Sequence, residues 1–258
     1  MVLCVAALAL YPAPLFNDGW VGYTGSPKLL GRHPSVRMVS ERITATIRKE
    51  TAIVDCHFVF RNDGAATAVR MGFPDEDGNR EPGEQSEGAS KWFKSYVDGR
   101  RVPTTLLPKV MPSGQEPRSF QVKTVSFGRG QTRTVRDTYE VPLVDLALGG
   151  KAPAYPAIYG FTYMFSTGST WKGAIGRTEM TITFAPDAIL PKGKIRLMAY
   201  PGEKKSEDYQ FRIKHRGAIQ TENPFKVSGR TLRLVKTNWS PGVNDDVWLT
   251  FGPHFRKM

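Results

Sequence analysis

The chain has 258 residues, 40% of them hydrophobic, and a formal net charge of +12. That length fills one large or two modest domains with ordinary cores. Its 19 prolines and 25 glycines, and the lack of any sustained apolar pattern at i, i+3, i+4, i+7, exclude a protein of long amphipathic helices.

In chain order, the first feature is the apolar run Val2-Leu3-Cys4-Val5-Ala6-Ala7-Leu8-Ala9-Leu10, which stops at Pro12 and Pro14. It is about half as long as a bilayer-spanning helix. It has the length of a signal h-region, and Ala7-Leu8-Ala9 has the small-x-small form of a cleavage site. No Lys or Arg precedes it, so either the true start lies upstream or the signal is atypical; a buried first strand is the plain alternative. The expectation is a signal over residues 1–16 and an exported, periplasmic or extracellular protein. After removal of that signal it would not be integral to the membrane. Without Cys4 such a chain keeps one cysteine, Cys56, and no internal disulfide.

Residues 39–48 and 52–60 alternate as strands. Ile43, Ala45 and Ile47 point one way, with Arg42, Thr44 and Thr46 opposite; Val54, Cys56, Phe58 and Phe60 share a face. Asn62-Asp63-Gly64 supplies turn chemistry. A strand at 69–74 is expected to end at Pro74, and the charged stretch 75–90 reads as an exposed acidic loop. A hairpin turn at Asp98-Gly99 joins strands at 93–97 and around Val102. Strands at 120–124 and 132–141 flank Gly128-Arg129-Gly130. Gly, Ala and Pro gather over 148–156, the expected boundary between domains 17–150 and 151–258.

Beyond it, Tyr159, Phe161, Tyr163 and Phe165 line one strand face, and Met180, Ile182 and Phe184 another. Between them lies Gly168-Ser169-Thr170-Trp171-Lys172-Gly173, read as a hairpin with a decorated tip. Further strands follow at 195–197, 209–213, 232–234 and 247–251. The pattern predicts an all-β protein: two antiparallel β-sandwich domains, or one extended two-part sandwich.

Little chemistry is legible. Cys56 and His57 are adjacent but point to opposite faces, so they form no dyad. The four histidines are scattered, no zinc spacing occurs, and neither a Gly-x-Ser-x-Gly elbow nor a Gly-Lys-Ser/Thr phosphate loop is present. Asp75-Glu76-Asp77-Gly78-Asn79 has calcium-type ligands but lacks the spacing and closing Glu of an EF-hand, and is read as a solvated acidic loop rather than a calcium site. No catalytic residue, metal or cofactor is assigned. Trp171 with Lys172, and Tyr163 on the strand before, are the candidate binding residues, because an aromatic platform beside a cation can stack on a sugar or a headgroup. The plain structural alternative is that Trp171 folds back over its own hairpin. The basic last quarter can attract nucleic acid, anionic lipid headgroups or acidic polymers, the plain alternative being a basic protein with no anionic partner.

Several segments in order carry a resemblance: Asn17-Asp18-Gly19, His33-Pro34-Ser35-Val36-Arg37-Met38-Val39-Ser40-Glu41, Phe58-Val59-Phe60-Arg61-Asn62-Asp63-Gly64, Met71-Gly72-Phe73-Pro74, Phe93-Lys94-Ser95-Tyr96-Val97-Asp98-Gly99 and the 167–173 turn. Together they resemble the exported bacterial family known as domain of unknown function 4424, over residues 17–251. The N-terminal half is more distantly similar to the vault protein inter-alpha-trypsin domain, a β-sandwich interaction module. That module usually stands beside a von Willebrand A domain, whose Asp-x-Ser-x-Ser metal sequence does not occur in these residues. Neither resemblance implies catalytic residues. The expectation is an exported, non-enzymatic β-sandwich protein that binds or supports an envelope component, an envelope protein or an anionic envelope polymer. The alternative is a hydrolase of an envelope polymer whose carboxylates converge from separate loops.

Overall fold

A computed structural model describes residues 23–31, 35–76, 88–109, 118–145, 159–188, 196–198, 210–213, 225–242 and 245–251. The strands in chain order are β1 (Tyr23–Thr24), β2 (Lys28–Leu29), β3 (Val36–Ile47), β4 (Thr51–Asn62), β5 (Thr67–Glu76), β6 (Trp92–Val97), β7 (Arg100–Val102), β8 (Thr105–Lys109) and β9 (Arg118–Phe127). They continue as β10 (Thr132–Pro142), β11 (Val144–Asp145), β12 (Tyr159–Tyr163), β13 (Ile175–Phe184), β14 (Arg196–Met198), β15 (Gln210–Ile213), β16 (Lys226–Ser228), β17 (Thr231–Trp239) and β18 (Val247–Phe251). A short 3-10 helix, Ser166–Thr170, joins β12 to β13.

The fold is an all-β sandwich. Its backbone is an eight-stranded sheet of order β16-β17-β13-β3-β4-β10-β6-β7. It is antiparallel except where β13 runs parallel to β3. A five-stranded sheet holds β1-β5-β9-β8, with β2 also on β5, and another holds β11-β12-β18-β15-β14. Both pack on one face of the large sheet. Phe73 of β5 meets Tyr139 of β10 with ring centroids 5.1 Å apart, and Phe184 of β13 meets Phe251 of β18 at 5.3 Å. A single cluster of buried apolar side chains runs through all three sheets.

Strand parity explains the layering. On β4, Val54, Cys56, Phe58 and Phe60 are buried while His57 and Arg61 face outward. Each buried Val, Leu or Phe contributes about 1.5–3 kcal/mol. Asp98 and Gly99 both take positive φ, 49° and 78°, as a tight hairpin between β6 and β7 requires.

Strands from both sides of residues 150/151 share the large sheet, the arrangement of an extended two-part sandwich. The expected boundary at 149–156 and the expected signal at 1–16 lie outside the described residues. Two local expectations need correction. β5 runs through Pro74 to Glu76; its neighbour changes from β2 at Met71 and Gly72 to β1 at Asp75 and Glu76, so the missing N–H of proline falls where neither is paired. Residues 168–173 are not a hairpin tip either: β12 and β13 belong to different sheets, and the turn is an arch between layers.

Candidate functional site

The arch places the predicted site residues in unequal settings. Trp171 is buried, 4% exposed. Its indole Nε1 donates to the Pro27 carbonyl at 2.6 Å, and its ring lies 4.5 Å from that of Phe60. The arch is clamped to the N-terminal segment: the Thr167 hydroxyl donates to the Ser26 carbonyl at 2.5 Å, and the Leu29 N–H donates to Thr170 Oγ1 at 2.8 Å. A Cβ on Gly25 would sit 2.3 Å from the Met164 carbonyl oxygen, so only glycine lets the two backbones meet. Trp171 is therefore a wedge between layers, neither a presented platform nor a side chain folded over its own hairpin. Of the three candidate binding residues only Lys172 faces out, pairing with Asp63 at 3.3 Å.

Tyr163 lies in the interior, fully buried. It belongs to a polar cluster built around Glu41, whose carboxylate accepts from Ser26 Oγ at 2.6 Å and Thr178 Oγ1 at 2.8 Å. Thr178 in turn accepts from the Trp239 indole at 2.7 Å. Burial pushes the Glu41 carboxyl up to about 7, against the lowering effect of the two hydroxyls. Burial also raises the Cys56 thiol and the Tyr163 and Tyr139 phenols, so Cys56 is an inert thiol. Tyr139 Oη donates to Thr24 Oγ1 at 2.9 Å. Tyr163 Oη sits beside Ser26 and Cys56 without a hydrogen bond of good geometry. Glu41 titrates in the range of a general acid, but it is 1% exposed.

The remaining buried charges are spent on the fold. Lys123 of β9 reaches both carboxylate oxygens of Asp137 of β10 at 2.7 Å, tying two layers together. Asp75, read from sequence as part of an exposed loop, is 1% exposed. Its oxygens accept from the Ala89 and Ser90 N–H groups, the Ser90 hydroxyl and Gln121 Nε2 at 2.7–2.9 Å, which makes it an anchor for the returning chain. Asp246 accepts from the Ser166 N–H and hydroxyl, and burial raises its carboxyl. Among the described residues, no three His, Cys, Asp or Glu side chains are grouped to hold a metal.

The outward face of the eight-stranded sheet is different. Arg42, Arg136, Arg177 and Arg233 stand exposed across it. At one corner Arg37, Arg61 and Lys172 converge on Asp63, at 3.2–3.3 Å. Burial works to raise the Asp63 carboxyl, but these three cations hold it below the usual range. Asp55 is lowered in the same sense, the Arg136 guanidinium and His57 outweighing partial burial. The Arg177 hydrogen bond holds down Glu179. Among the described residues cations outnumber carboxylates on this face. The parity of β3, β4, β10 and β13 would have located it from sequence; only the pairing of β13 with β3, which joins the two halves of the chain, was not legible.

No protein-family model matches this chain, and no curated protein matches it. Among solved structures, a protein from Legionella pneumophila subsp. pneumophila str. Philadelphia 1, provisionally described as nutrient binding, is similar with a TM-score of 0.60 at 18% identity, over 91% of this chain and 72% of that one. An M1 zinc metallopeptidase from Deinococcus radiodurans gives a TM-score of 0.33 at 10% identity, and yeast LTA4 hydrolase 0.37 at 6%. This chain spans 43% and 30% of those two chains. Among the described residues no helix is long and apolar enough to cross a membrane. The likeness to the Legionella protein is one of fold: an extended β-sandwich of the same kind.

Proposed function

We propose that this chain is an exported, non-enzymatic β-sandwich protein that binds a component of the bacterial cell envelope. One observation carries the reading. Among the described residues the interior charges Glu41, Asp75, Lys123, Asp137 and Asp246 have internal partners, while the broad outer face of the eight-stranded sheet keeps an excess of exposed arginines. In water such a face attracts anionic partners without distorting the fold. Export is supported by the apolar run and small-x-small site near the N-terminus, and by the resemblance of the ordered segments to an exported bacterial family. The fold shared with a protein described as nutrient binding supports a binding role over a catalytic one.

The test is fractionation of bacterial cells producing the full chain, with intact mass and cross-linking of the recovered protein. The expected product lies outside the cytoplasm, has lost residues 1–16, and cross-links to envelope material. A cytoplasmic product retaining Met1 and cross-linking to nothing in the envelope would contradict the proposal.

A further inference from the structure

We infer that the outer face of the eight-stranded sheet binds an acidic polysaccharide lying across its strands, an inference that rests on the envelope-binding reading above. The pairing registers set Arg101, Tyr96, Arg136, His57 and Arg42 side by side on β7, β6, β10, β4 and β3. Directly opposed residues point to the same face, and neighbouring strands lie about 4.8 Å apart. The three arginines therefore recur on every second strand, about 9.6 Å apart. One strand spacing is close to the length of one pyranose in an extended glycan. The line thus presents a guanidinium to every second sugar and a ring, Tyr96 or His57, to the sugar between.

The chemistry fits a carboxylate-bearing chain. Arginine's planar fork matches a carboxylate with two parallel hydrogen bonds, which a lysine cannot do. The Arg136 guanidinium already lies 5.8 Å from the centre of the Tyr96 ring, so cation and ring platform are adjacent. Asp55, two residues from His57 along β4 on the same outward face, fixes Arg136 at 2.9 and 2.7 Å and His57 at 3.2 Å. Arg42 and Arg101 are exposed. The line ends at Glu179 of β13, opposite Arg42, and Arg42 helps hold that carboxyl down without a close ion pair among the described residues. Both guanidiniums stay accessible to a ligand. On this face Val235, 42% exposed, is the one large exposed hydrophobic among the described residues, which gives a bilayer little to insert.

The experiment measures equilibrium binding of labelled polygalacturonate oligomers to the full chain. Neutral dextran oligomers of matched length and phosphatidylglycerol vesicles serve as the other two ligands. The expected result is salt-sensitive binding of polygalacturonate and none of dextran. Arg42→Gln with Arg101→Gln should weaken it about tenfold. Arg70→Gln with Arg129→Gln removes the same charge from the β5 strand and the β9–β10 turn, and should change affinity less than about twofold. Arg42→Lys with Arg101→Lys keeps the charge and should still lose most of the affinity. Equal losses in the two glutamine pairs would overturn the inference, since net charge alone would explain them. Vesicle binding that depends on Arg42 and Arg101, without polygalacturonate binding, would overturn it in favour of lipid. Binding of no probe would also overturn it, leaving the envelope reading to its own fractionation test.

Discussion

The two faces of the eight-stranded sheet treat charge in opposite ways. Inside, Asp137 has Lys123, Glu41 has two hydroxyls, and both pairings bridge separate strands or layers. Outside, Asp55 is shared between Arg136 and His57, and Glu179 among Arg177, Arg233 and the more distant Arg42, all of them exposed or half-exposed. The difference follows from the medium. A charge in a low-dielectric interior must be matched by a fixed donor or acceptor, or be neutralised. A charge in water needs no fixed partner and stays available to a ligand. Interior polarity therefore specifies how the layers dock, and exterior polarity what the docked layers can meet.

Removing one member of the interlayer ion pair should break this comparison most severely. Lys123→Met leaves Asp137 buried without its cation and should cost about 3–5 kcal/mol in denaturant unfolding. Adding Asp137→Leu should restore most of that loss. If single and double variants unfold alike, the pair is not what joins the layers. Trp171→Ala should cost about 3–5 kcal/mol, as a large core side chain removed from between Phe60 and the N-terminal segment. Trp171→Phe keeps the ring but leaves the Pro27 carbonyl without its donor, and should cost about 1–3 kcal/mol.

Glu41 gives a pH test of the same idea. Its carboxyl is raised from 4.5 to about 7 in the folded chain, so folding favours the protonated form. That contribution is fully present below about pH 4.5 and is lost as pH rises through about 7. Glu41→Gln cannot ionise. The stability of the variant relative to the parent should therefore climb between those pH values and level off at about 3 kcal/mol. Asp55, Asp63, Asp98 and Glu179 are shifted downward and act in the opposite sense as pH falls, but they are common to both chains and cancel. A flat difference curve would show that Glu41 is hydrated. The smallest effect belongs outside: Arg42→Gln with Arg101→Gln should move stability by no more than about 0.5 kcal/mol.

Much of this architecture is legible in the sequence because strand parity is local. Arg42, Thr44 and Thr46 face out and Ile43, Ala45 and Ile47 face in as alternation requires, and Cys56 falls in the core for the same reason. Parity marks Asp137 with Val135 and Tyr139, but over β9 it is ambiguous: Phe120 and Val122 alternate against Lys123, Val125 and Phe127, and all five are buried. The alternation Phe120, Val122, Thr124 therefore hides Lys123, and with it the interior pair. Partner choice is not local. The strands flanking Trp171 have the alternation of a hairpin, yet Phe161 pairs with Leu249 and Met180 with Leu234 and Ile43. A glycine-bracketed turn looks the same whether it joins paired strands or crosses between layers. Asp75 was hidden for another reason: the N–H groups that make its burial tolerable lie 14 and 15 residues further on.

The most direct test of the central claim measures envelope recovery and thermal stability on the same variant. Full chain and Arg42→Gln/Arg101→Gln are each cross-linked in envelope fractions, and their melting temperatures are compared. Matching melting temperatures are expected, with envelope recovery lowered several-fold in the variant. Undiminished recovery from the variant, with its fold intact, would contradict the outer face as the binding surface.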